Sequence, residues 1–142
     1  SGALDTTWLP QAHSQHPLVE QAHDLWLRLH ELAEKHEWIP PKALGEHPVV
    51  ELINATMCVG PKLAGALNGD RWPPEIEFCA QTIVRLKRAR EYLDDALGAA
   101  ESCQEDRLIP PDLLGPATVD LIDLAHKIDQ LIGELRDRLQ AC

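Results

Sequence analysis

A chain of 142 residues, 44% hydrophobic and 25% charged, is sized for one globular domain with a real core. Its formal charge of −10 disfavours broad attachment to nucleic acid or anionic lipid. No apolar run approaches the roughly 20 residues that span a bilayer. Aromatic residues at 4% and few β-branched runs favour helix over sheet. Four cysteines without a CxxC spacing read as reduced thiols, and with no basic-then-apolar leader the chain is expected in the cytoplasm.

Residues 1–15, with Trp8-Leu9-Pro10 and no regular period, form an N-terminal arm, and residues 16–142 the domain. Helix 1 is expected to start at a Ser14 or His16 cap with Pro17 in its first turn, and to run to about Glu37. Leu18, Ala22, Leu25, Leu29 and Leu32 fall on one stripe of it. Helix 2 runs from about Pro48 to Leu67, with Val49, Ile53, Thr56, Gly60, Leu63 and Leu67 inward. Gly60-Pro61 in its middle predicts a kink, because proline removes an intrahelical hydrogen bond. Asn68-Gly69-Asp70 ends it. Helix 3, from about Pro74 to Gln104, keeps a heptad through Ile76, Cys79, Ile83, Leu86, Leu93, Leu97 and Ala100 that Arg90 alone interrupts. Arg90 is expected to lie along the stripe edge, with its head in water. Helix 4, from about Pro116 to Gln140, carries Leu121, Leu124, Ala125, Ile128, Leu131, Ile132, Leu135 and Leu139 on one face.

One elbow is used twice. Ile39-Pro40-Pro41-Lys42-Ala43-Leu44-Gly45 and Ile109-Pro110-Pro111-Asp112-Leu113-Leu114-Gly115 each stand between two helical patterns. Both prolines lack an N–H, so the pair ends the helix before it. Short connections make neighbours antiparallel, which gives an all-α, up-down-up-down four-helix bundle built of two helical hairpins. Both elbows then lie at one end of it.

Bundles hold di-metal centres through inward Glu-x-x-His pairs, so Glu20 with His23 and Asp123 with His126 were candidates. Helical geometry turns Asp123 and His126 more than about 120° from the leucine face, with Glu20 and Glu51 also outward. No metal or cofactor is expected on that ground. His16, His23 and His30 recur every seven residues beside Val19 and Trp26, and read as the polar flank of an amphipathic helix. Arg85, Lys87, Arg88 and Arg90 gather four basic residues into a possible contact for nucleic acid or another anionic partner, yet Glu91, Asp94 and Asp95 follow at once. No nucleophile motif and no phosphate-binding loop is present, so no enzymatic role is expected. The outward face of helix 2, with Glu51, Asn54, Ala55, Cys58, Lys62 and Gly65, is mostly small, which suits close approach of another copy.

Several features resemble the four-helix-bundle family found in ribosomal-RNA intervening sequences, which includes the accessory variability determinants of diversity-generating retroelements. They are the proline-bearing elbow after helix 1, Ala89-Arg90 with Asp95 in helix 3, and a closing helix with Gly133-Glu134-Leu135-Arg136, over residues 17–140. The resemblance implies a homo-oligomer, since bundles of that family tend to assemble into rings. The resulting expectation is a non-enzymatic oligomeric scaffold or protein-interaction module. A nucleic-acid-associated accessory protein is the alternative, and a metal-binding bundle the second.

Overall fold

The computed structural model describes residues 16–67 and 72–141. The arm with Trp8, the Asn68-Gly69-Asp70 stop and Cys142 lie outside them. The described residues form four helices and no strand: α1 (Pro17–Lys35), α2 (Pro48–Leu67), α3 (Ile76–Glu105) and α4 (Pro111–Gln140). They pack as the up-down-up-down bundle of two hairpins that the repeated elbow predicts.

The helices before the two elbows end identically. Glu37 and Arg107 turn left-handed, with φ of 54° and 55°. Trp38 N and Leu108 N then reach back to Ala33 O at 3.0 Å and Cys103 O at 2.9 Å, while Glu37 N and Arg107 N reach Glu34 O and Gln104 O. This pattern satisfies the orphan carbonyls of a helix end, and normally glycine makes the left-handed step. Here a glutamate and an arginine make it.

After the cap the elbows diverge. Pro40 and Pro110 each open a turn, accepted from Ala43 N and Leu113 N at 3.0 Å. In the second elbow the turn grows straight into α4, so that helix opens at Pro111 and not at Pro116. Proline costs nothing at the first helical position, where its missing N–H would be unpaired anyway. In the first elbow the turn does not run on into α2, since Pro48 disfavours the α region for His47. Gly115 escapes the same restriction before Pro116, and so does Gly60 before Pro61. The restriction arises partly from a clash between the proline Cδ and the preceding Cβ, which glycine lacks. Both internal prolines are therefore carried inside continuous helices.

Trp38 of the first elbow lines a cavity of about 690 Å³ together with Gln104 and Leu108–Pro111 of the second, so both elbows share one end of the bundle. Ile109 is buried there, whereas Ile39 is exposed.

The core is a leucine-rich column: Leu25, Leu52, Leu63, Leu86, Leu93, Leu121, Leu124 and Leu135 are all fully buried. Of the adjacent pairs, α2 and α3 pack most extensively and α1 and α4 least. Small buried residues on the inner pair, among them Ala55, Ala89, Ala96 and Ala99, allow the close approach. The α1–α4 seam is instead bridged by polar side chains. Arg28 Nη2 donates to Asp120 Oδ2 at 2.6 Å, and Gln21 Nε2 to Asp123 Oδ2 at 2.8 Å. Lys127 Nζ completes the group, at 3.0 Å from Gln21 Oε1 and 2.9 Å from Asp123. Hydrogen bonds from Lys127 and then Gln21 hold the Asp123 carboxyl below its usual range.

Candidate interaction surface

α2 packs against α1 and, most extensively of all, against α3, and so buries a wide arc. α2 buries Val49, Leu52, Ile53, Ala55, Thr56, Val59, Gly60, Leu63 and Leu67, which adds Leu52, Ala55 and Val59 to the stripe read from spacing. The buried Thr56 hydroxyl is satisfied within the helix, donating to Leu52 O at 2.7 Å. Ala55 is the correction to the outward face: it is 8% exposed, and belongs to the core of the single chain. Glu51, Asn54, Lys62 and Gly65 are exposed as expected and Cys58 is half-buried. Two residues missing from that face are Met57, which is 45% exposed, and Pro61.

Met57 and Pro61 stand beside α1. At Gly60 the two helices come so close that an added Cβ would lie 4.0 Å from the His23 amide nitrogen. Beside this contact a groove of about 230 Å³ is lined by Val19, Ala22, His23, Trp26, Met57, Gly60, Pro61 and Ala64. Its rim on α1 is an aromatic stack. The Trp26 ring lies 5.5 Å from His30, nearly parallel, and 5.7 Å from His23. His30 Nε2 is in turn 2.5 Å from Glu34 Oε1. The Trp26 Nε1 atom is buried without a hydrogen-bond partner. Of the histidine stripe, His23 lines the groove, His30 backs the Trp26 ring from outside it, and His16 stands at the start of α1, edge-on to Trp72 at 6.5 Å.

Two of the four residues in the basic run on α3 are spent on the fold. Arg85 Nη1 donates to Gly65 O at 3.1 Å, in the last turn of α2, where a helix leaves its carbonyls unpaired. Arg90 crosses to α4, donating from Nε to Asp129 Oδ1 at 3.1 Å, and pairs with Asp94 through Nη1. That resolves the interrupted heptad: the stem of Arg90 covers the stripe edge and its head is paired. Lys87 and Arg88 are exposed.

Asp123 is engaged with Gln21 and Lys127, and His126 and Glu20 face outward. Among the described residues no three His, Cys, Asp or Glu side chains converge as metal ligands. Burial, with the charges of Asp106 and Glu51, pushes the Cys103 thiol up to about 11, so it is held as an unreactive core group. None of the described helices is long and apolar enough to cross a membrane.

Comparison with models of protein families, with curated proteins and with solved structures yields no match. The fold defines the class: an all-α four-helix bundle of two hairpins.

Proposed function

We propose that this chain is a non-enzymatic scaffold or interaction module that assembles with further copies of itself through the α1–α2 groove and the outer face of α2. One observation carries the reading: the groove around Trp26, Met57 and Pro61 contains no Asp, Glu, Lys or Arg, in a chain whose formal charge is −10. Two such chains repel at long range, so a contact between them needs a surface free of like charges. At about 230 Å³ the groove lies below the roughly 300–1,000 Å³ of small-molecule pockets, and suits a protruding side chain of a neighbour. Met57 of a second copy is such a side chain, flexible and adaptable in shape. The homo-oligomer implied by the family resemblance agrees with this reading, and the cytoplasm is the proposed compartment.

The nucleic-acid alternative draws less support, since Arg85 and Arg90 are committed within the bundle. The test is Met57→Arg, compared with the unaltered protein by sedimentation velocity. A charge buried in an apolar contact and left unpaired is strongly unfavourable, so the variant should sediment as monomer with unchanged helicity. Assembly that survives the substitution overturns the proposed surface. Arginine at Ala55 would not serve, because that site is core.

A further inference from the structure

A five-residue pattern opens both helices of the first hairpin: His16-Pro17-Leu18-Val19-Glu20 and His47-Pro48-Val49-Val50-Glu51. The structure gives the two histidines the same task. His16 Nδ1 accepts from Leu18 N at 3.1 Å, and His47 Nδ1 accepts from Val49 N at 3.2 Å. Each backbone carbonyl also accepts the first helical bond, from Glu20 N at 3.4 Å and Glu51 N at 2.9 Å. Both are N-caps, a position where Ser, Thr, Asp and Asn usually supply the acceptor. Proline at the following position removes one orphan donor, and the imidazole answers the next.

We infer that the His16 and His47 caps form an acid-sensitive latch on the α1–α2 hairpin. Nδ1 accepts a hydrogen bond only while the ring is neutral with its proton on Nε2. Protonation places a hydrogen on Nδ1, facing an N–H, and a positive charge at the positive end of the helix dipole. Each first turn then loses its own cap, the two lying at opposite ends of the hairpin. The surroundings differ. His16 meets Trp72, with Glu20 one turn along its own helix, and its burial lowers its pKa. Beside His47 are Glu46 and Glu51, and Glu51 in turn acts on Cys103 at the end of α3, near Asp106. The sign for His16 follows from that depression: its cap contributes stability fully above the ordinary histidine value of about 6.5, and loses it as pH falls through the lower folded value. Serine, aspartate or asparagine at these positions would cap without this dependence.

The latch is independent of self-assembly and is tested on the folded chain by nitrogen-15 NMR. At about pH 7.5 both rings should show the Nε2–H tautomer with Nδ1 unprotonated. On titration to about pH 5, the Leu18 and Val49 amide shifts should move with the midpoint of their own imidazole. Exchange at these amides, corrected for its intrinsic pH dependence, should quicken about fivefold, the ratio that an ordinary cap represents. His16→Asn and His47→Asn should each remove the response at one amide and leave the other. The tautomer measurement stands even where a variant fails to fold. Nδ1–H rings at neutral pH, or amides that ignore their imidazoles, overturn the inference.

Discussion

Gly60 faces α1 and also stands directly before Pro61, and these two facts predict different results for Gly60→Ala. An added Cβ would meet the His23 nitrogen at 4.0 Å, an ordinary contact, so packing does not oppose the change. Alanine in a helix interior is favoured over glycine by about 0.8–1.0 kcal/mol. That gain should appear only when the next residue is not proline, because the new Cβ crowds the Pro61 ring in the α conformation. Pro61→Ala restores a backbone donor and removes a penalty of about 3 kcal/mol, less about 0.4–1 kcal/mol for the freer unfolded chain, a net gain of about 2 kcal/mol. In the Pro61→Ala background, Gly60→Ala should then add a further ~1 kcal/mol, while in the native background it should add nothing or cost stability. Urea unfolding of the four proteins, followed by circular dichroism, yields the coupling directly. The expected coupling of about 1 kcal/mol exceeds the ~0.3–0.5 kcal/mol error of such cycles. Equal effects of Gly60→Ala in both backgrounds would refute the glycine-before-proline account. It would fall for Gly115-Pro116 as well.

Arg107→Gly should stabilise the chain by about 0.5–1 kcal/mol, the left-handed strain relieved less the entropy of glycine, read as a higher urea midpoint. Iodoacetamide at about pH 8, followed by peptide mass mapping, should label half-buried Cys58 and spare Cys103, whose thiol is raised to about 11. Asp123 has a folded pKa below its unfolded value of about 3.9, so its contribution is complete above that value and fades as pH falls through the lowered one. Asp123→Asn should accordingly lower stability at neutral pH and converge on the unaltered protein in acid, so that the profile between is flatter.

Elements whose signals are local were legible in the sequence. Pro48 to Leu67 was read correctly because a proline opens it and apolar residues recur along it, and the double elbow because proline and glycine act within a few residues. Arg90 was read as an edge residue for the same reason. What escaped depends on neighbours or on unusual residue choices. The Pro-Pro pair at Pro110 reads as a stop, and only the continued turn reveals that it is also a start. Ala55 looks outward from a single stripe, but the extensive packing of α2 against α3 widens the arc that α2 buries. The groove at Met57 arises where α1 crosses Gly60, and no spacing within α2 encodes that. The left-handed steps at Glu37 and Arg107 carry no glycine to announce them. His16 was a candidate cap, yet its twin His47 went unnoticed because the paired motif is 31 positions distant and imidazole is not a customary capping group.

The central claim is self-assembly through the uncharged groove, and light scattering on the unaltered protein tests it most directly. The chain mass is 15.8 kDa, so at tens of micromolar and moderate salt the account predicts a mass that is an integral multiple of this and falls on dilution. A mass of one chain at every concentration up to hundreds of micromolar would contradict it.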